Sequence, residues 1–172
     1  MGDAGVVIET VHLTSPRYPD RLRRIYDPPP LIYVRGDLRS AEPAVAVVGS
    51  RRATATGRIV TERLAAGLAA SGVTVVSGLA RGIDAVAHRA ALDAGGRTIA
   101  VLGCGLDVIY PPEHSGLMEA ITQQGCIITE FPLGTPPLRH HFPQRNRIIA
   151  GLTLGVVVVE GDERSGALST AG

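Results

Sequence analysis

Five short apolar runs recur along this chain with helix-like segments between them: AVAVVG (44–49), VTVVSG (73–78), TIAVLG (98–103), CIITE (126–130) and GVVVVEG (155–161). Runs this short, rich in β-branched residues and without polar alternation, read as strands covered on both faces. After the first run comes GRIVTERLAAGLAASG, which places Val60, Leu64 and Leu68 on one helical face and Gly72 as its stop. IDAVAHRAALDAGG follows the second, with Ile83, Val86, Ala87, Ala90 and Ala91 at helical spacing and Asp84 placed to favour the N-terminal dipole. SGLMEAITQQG and RNRIIAGL supply the remaining helices. The alternation predicts an α/β fold with a doubly wound, mostly parallel sheet, whose ligands bind beyond the carboxyl ends of the strands. Residues 43–172 are assigned to this domain, and residues 1–42 to a Pro-rich lead-in with one strand candidate, LIYVRG.

Composition narrows the chemistry. With 172 residues and 45% hydrophobic content the chain is long and apolar enough for one globular core. No apolar run approaches the ~20 residues of a membrane span. The N-terminus has no basic region ahead of an apolar stretch, so the cytoplasm is the expected address. Cys104 and Cys126 lie in apolar runs without metal-ligand spacing and read as small buried hydrophobes in a reducing compartment. The net charge of +1 points to no polyanionic partner by itself, but all 17 basic residues are arginine. The absence of lysine excludes a Walker-type phosphate loop, Schiff-base chemistry and a lysine general base. Each arginine can instead fork onto a phosphate or stack on a base.

The strand ends carry the functional signal. The first runs into GSRRATATG (49–57), a Gly-led turn at a helix N-terminus, where free N–H groups favour an anion and Arg51 and Arg52 add charge. The turn lacks the G-x-G-x-x-G spacing, and no acid for a ribose ends the second strand, which argues against NAD. SGLARGIDAVAH follows the second strand; Asp84 and His88, four apart, read as a helix-surface pair or cap rather than a catalytic couple. GCGLDVIYPPEH follows the third and matches no dinucleotide or metal loop, and hydrolase elbows and metal signatures are absent from the chain. The fourth strand leads into TEFPLGTPPLRHHFPQRNRIIAG, where Arg139, Arg145 and Arg147 surround Phe142, one of only two phenylalanines. Cations around one aromatic ring are the ingredients of a single-strand site, arginine tracking the backbone and the ring stacking a base. By composition alone, Phe142 fits equally well as core beneath the loop.

GSRRATATG, SGLARGIDAVAH, GCGLDVIYPPEH, TEFPLGTPP, HHFPQRNRIIAGL and VVVVEGDERSGALSTA, in this order, resemble the DNA processing protein A family (DprA, also called Smf), and YPDRLRRIYDPPPLIYVRGDL resembles its lead-in. The resemblance implies an extended Rossmann-like domain that binds single-stranded DNA and helps load the RecA recombinase in natural transformation, without enzymatic activity and without cofactor or metal. It also implies site residues. Gly49, Ser50 and Arg51 would hold a phosphate at the first helix. Arg139 would be a basic DNA contact and Phe142 the base-stacking ring. Arg145, Asn146 and Arg147 would line the same pocket, and Ser165 and Gly166 would close it from the last strand. His114 and Ser169 depart mildly from the family's pattern. Similar proteins continue into a further helix and strands, so the sheet is expected to be incomplete at its C-terminal end, which bears on homodimerisation and RecA contact. The alternative reading is a nucleotide-processing enzyme on the related scaffold of the phosphoribohydrolases, whose P-G-G-x-G-T-x-x-E string this chain lacks.

Overall fold

The computed structural model describes residues 6–161. In chain order the elements are β1 (Ile8–His12), α1 (Asp20–Arg23), β2 (Leu31–Gly36), β3 (Ala44–Gly49), α2 (Ala55–Ala70), β4 (Thr74–Ser77), α3 (Ile83–Asp93), β5 (Thr98–Val101), α4 (Ser115–Gln124, after a 3-10 turn over Pro112–His114), β6 (Gly125–Thr129), α5 (His141–Gly151) and β7 (Val156–Val159). All seven strands form one sheet in the order β1-β2-β6-β5-β4-β3-β7. From β6 to β7 every pairing is parallel, while β2 runs antiparallel to both β6 and β1. The doubly wound, mostly parallel sheet expected from the alternation is present. The lead-in adds two strands to it rather than one, and Tyr18, fully buried, pins it by donating from its hydroxyl to the Pro29 carbonyl at 2.7 Å.

Alternate residues of the central strands feed opposite layers. Ala46, Val48, Val76, Ile99, Val101 and Ile128 face α1 and α5 through Leu22, Ile148, Ile149 and Leu152. Val47 and Val75 pack on α2 and α3, and Ala100 and Ile127 on α4. Both faces of the parallel strands are therefore covered, which explains runs without alternation.

Two helices differ from expectation. The buried face of α2 is Gly57, Thr61, Ala65 and Ala69; Leu64 and Leu68 only flank the core, and Val60 is 49% exposed. Small residues at four-residue spacing let α2 lie close to α3 and the sheet, and the Thr61 hydroxyl donates to the Gly57 carbonyl at 2.8 Å instead of meeting solvent. The other difference is at α5, which begins at His141 and not at Arg145. Phe142 thus sits in the first turn of a helix whose position is set by Ile148, Ile149 and Leu152 in the core.

Candidate nucleic-acid interface

The carboxyl ends of β3, β4 and β5 converge with the start of α5 around a pocket. It is lined by Arg51 from the turn after β3, Gly78 to Arg81 after β4, Leu102 to Cys104 after β5, Tyr110 and Pro111 beyond them, and Phe142 and Arg145 from α5. The Ser50–Arg51 turn lies against the N-terminus of α3. Ile83 donates its amide to the Ser50 carbonyl, and the cap residue Gly82 has φ +80°. A Cβ at Gly82 would meet the Ser50 carbonyl oxygen and approach the Arg51 carbonyl carbon to 2.7 Å, so only glycine allows this contact.

Phe142, which composition left open between core and surface, is half-buried and not a core residue. Gly103 backs the ring, where a Cβ would stand 3.1 Å from its edge carbons. Tyr110 flanks it at 5.9 Å between centroids with the planes at 39°. The guanidiniums of Arg51 and Arg145 lie 5.5 and 5.4 Å from the ring centroid. Each is attracted to the ring's quadrupole while repelling the other.

These two arginines have different situations. Arg51 is exposed, and no acidic side chain among the described residues pairs with it. Arg145 is 5% exposed and donates to the Gly78 carbonyl at 2.8 Å, to the Val101 carbonyl at 2.7 Å and to Asn146 Oδ1 at 3.0 Å. It ties the ends of β4 and β5 together and floors the pocket. Burial pulls its guanidinium below the usual range, partly offset by the charge of Asp84. Asn146 is buried and contributes through Arg145, outside the pocket lining. Arg147 also stands outside the lining. Its NH1 and NH2 each donate to a Glu130 carboxylate oxygen at 2.7 Å, and its Nε donates to the Asp27 carbonyl at 3.0 Å, joining α5 to the end of β6 and to the lead-in. Arg139 is exposed in the turn before α5 and, among the described residues, has no acidic partner. That turn is held by His141, whose ring stacks on Phe131 at 4.2 Å and whose Nδ1 donates to the Gly103 and Pro136 carbonyls. Ser165 and Gly166 lie outside the described residues.

The N-terminus of α2 does not offer the open anion site that GSRRATATG suggested. Thr54 caps the helix by accepting from the Gly57 amide at 3.1 Å, and the Thr54 amide donates to Glu160 Oε1 at 3.1 Å. An internal carboxylate from the end of β7 already occupies that terminus. Gly49 is wedged between Val159 and Ile83, and the Ser50 hydroxyl accepts from the Arg52 amide at 3.0 Å, so both shape the turn that presents Arg51.

Asp84 and His88 are not a surface pair: both are buried, and each serves the backbone after β4. Asp84 accepts from the Gly78 amide at 3.1 Å and the Ala80 amide at 3.4 Å. Burial pushes its carboxyl up, against the pull of Arg145 and those amides. His88 Nε2 accepts from the Leu79 amide at 3.3 Å, so its Nδ1 carries the hydrogen donated to Thr98 Oγ1 at 2.7 Å. Burial, with the nearby charge of His114, lowers its pKa to about 3. His114 donates from Nδ1 to the Leu79 carbonyl at 2.9 Å. Leu79 is held from both sides at φ +59°, a conformation that costs a branched residue energy. No periodicity in the sequence marks this arrangement, because it spans α3, β5 and the turn before α4.

Burial raises the Cys104 thiol to about 11 and the Cys126 thiol to about 12, so neither is a nucleophile at neutral pH. Among the described residues no group of three His, Cys, Asp or Glu side chains is placed to hold a metal. No helix there is long and apolar enough to cross a membrane.

A family model described as DNA recombination-mediator protein A matches residues 9–172. The chain belongs to that family. Its sequence is 50% identical to Protein Smf of Synechocystis over 162 residues, covering 91% of this chain and 41% of that one. Its fold matches the crystal structure of DprA from Streptococcus pneumoniae at a TM-score of 0.90 and 45% identity, covering 95% of this chain and 58% of the other. It matches DprA from Helicobacter pylori, a structure described as showing that protein's single-stranded DNA binding mode, at a TM-score of 0.86 and 31% identity, covering 97% of this chain and 75% of the other. The chain spans about half the length of the curated DprA and Smf relatives it matches.

Proposed function

We propose that this chain binds single-stranded DNA at the pocket around Phe142, as a non-enzymatic recombination mediator in DNA uptake. The observation that carries the proposal is the combination on one rim of an exposed arginine without an acidic partner among the described residues and a half-exposed ring 5.5 Å from it. A phosphate beside Arg51 relieves its repulsion with Arg145, and a base laid on the open part of Phe142 gains stacking worth about 1–3 kcal/mol. Arg139, exposed in the turn that leads into α5, meets a neighbouring phosphate. Gly49 and Ser50 hold the turn of Arg51, while Asn146 and Arg147 hold α5. Binding rather than catalysis is supported by the use of Asp84 and His88, the titratable pair behind the pocket, in backbone hydrogen bonds. The family extends the reading to loading the RecA recombinase on the bound strand, and to homodimer formation.

The test is a titration with single- and double-stranded oligonucleotides of one sequence over a range of salt. Tighter binding of the single strand, with affinity falling steeply as salt rises, supports the proposal. Equal affinity for both forms removes it. RecA loading is tested separately, by the rate of filament formation on the same oligonucleotide with and without this protein.

A further inference from the structure

A second cleft opens at the other end of the sheet, near the amino ends of the parallel strands. It holds about 500 Å³, within the ~300–1,000 Å³ of ligand sites, and lies between α1, the loop from β2 to β3 and the residue that follows α5. Its floor is apolar, made by Leu38, Ala44, Ile99, Ile128 and Leu152 of the cluster beneath α1 and α5. Its rim carries Arg21 in α1, Arg24 at the end of that helix and Arg39 on the facing loop. We propose that this cleft binds an acidic peptide segment of a partner protein, with apolar side chains of the segment on the floor and its carboxylates on the three arginines. The proposal is independent of the DNA-binding reading, because no residue lines both this cleft and the Phe142 pocket.

Three observations select that occupant. The first is the state of the arginines. Arg21 donates from Nη1 to the Glu42 carbonyl at 2.9 Å, which bridges α1 to the loop and leaves Nε and Nη2 without an acceptor among the described residues. Arg24 is exposed and, among the described residues, has no acidic partner. Arg39 has only Asp37, at 3.3 Å with both side chains more than half exposed, a pair of little net stability. Guanidiniums so placed take carboxylates in bidentate pairs. The second observation is the loop backbone. The Ser40 carbonyl accepts from the Asp20 amide at 2.8 Å, but the Ser40 and Ala41 amides donate to no described residue, which leaves donors on the rim for peptide carbonyls. The third is the mixture of surfaces. Cations on both walls of an apolar floor call for a ligand with several anions and an apolar part, which a single-headed fatty acid does not supply. None of the lining residues is aromatic, so a nucleobase gains no stacking there. Glu42 is engaged by Arg97 at 2.9 and 3.0 Å, and Asp20 is the other acid on the rim, so the positive excess suits a few carboxylates better than a run of phosphates. With the two sites at opposite ends of α5, a partner and a strand can be held together.

The closing experiment measures fluorescence anisotropy of a labelled nonapeptide in which two leucines are flanked on each side by aspartates and glutamates. A control peptide carries serines for the leucines. Wild type is expected to bind the leucine peptide with Kd below about 1 mM and at least about tenfold more tightly than the control. Arg24→Ala and Arg39→Ala are each expected to weaken it about fivefold, the scale of an exposed ion pair. Both side chains are exposed, and melting temperature identifies a variant that does not fold. Arg51→Ala and a saturating single-stranded oligonucleotide are expected to leave peptide binding as it was. If the leucine peptide does not bind below about 1 mM, binds no better than the control, or binds both folded variants like wild type, the proposal falls. If the oligonucleotide or Arg51→Ala abolishes peptide binding, the peptide sits at the Phe142 pocket and the cleft is not its site, while the DNA-binding reading stands.

Discussion

The Glu160 carboxylate closes the N-terminus of α2 in the space that a side chain on Gly57 would occupy. A Cβ there would overlap Glu160 Oε1, and the same oxygen accepts from the Thr54 amide at 3.1 Å. Glu160 reaches this position from a backbone φ of +57°, uncommon for a residue with a side chain. The contact joins the end of the edge strand β7 to the helix that follows the Arg51 turn, and supplies the negative charge that a helix N-terminus favours.

Glu160→Gln is therefore expected to lower stability by about 1 kcal/mol, the scale of a charge at a helix terminus. Gly57→Ala is expected to cost about 2 kcal/mol or more, since the carboxylate must leave. Urea unfolding midpoints measure both. Glu160→Ala removes the side chain that a Cβ at position 57 would overlap, so if Gly57→Ala in the Glu160→Ala background costs as much as it does alone, the two residues do not share this contact.

Arg51→Ala and Arg139→Ala are expected to weaken single-strand binding and to flatten the plot of log affinity against log salt by about 0.7 for each phosphate that is no longer neutralised. Phe142→Leu is expected to weaken binding about tenfold with the slope unchanged, because stacking releases no counterions. Titrations at four salt concentrations separate the two patterns.

Arg145→Met is expected to act on stability first. It leaves the Gly78 and Val101 carbonyls without their donor and Asp84 without its buried counter-charge, at a cost of about 3–5 kcal/mol. Chemical unfolding should show this destabilisation alongside a near-zero effect of Arg51→Ala, whose side chain is exposed.

Stability should fall in mild acid through His88. Its folded-state pKa of about 3 lies below the ordinary 6.5, so the unfolded chain takes up the proton first. The contribution is whole above pH 6.5 and is lost as pH falls from there toward 3, about 2 kcal/mol being gone at pH 5. Asp84, raised by burial, acts with the opposite sign above its ordinary 3.8. A single-site comparison isolates the histidine: His88→Gln should show the smaller difference in unfolding free energy between pH 7.5 and pH 5.

The five apolar runs and the helices between them were legible because periodicity reports burial directly. Ile83, Val86, Ala87, Ala90 and Ala91 are all buried on α3 as their spacing implied. Periodicity misjudged α2, where Val60 outweighed Gly57, Thr61, Ala65 and Ala69 on hydropathy although the small residues make the closer contact. It also could not separate the arginines of RHHFPQRNR. Arg139, Arg145 and Arg147 look alike in sequence, yet one is exposed, one is buried beneath the pocket and one is bound to Glu130.

Local pattern alone determined the βα alternation, the sheet class and the strand ends as the place for a ligand, because each depends on residues close together in the chain. The tertiary structure decided which cations remain available, that the α2 terminus is filled by Glu160, and that Tyr110 stands opposite Phe142. Those outcomes depend on which distant side chain reaches a given charge or ring first. Glu160 is 106 residues from Thr54, and no short-range pattern encodes that meeting.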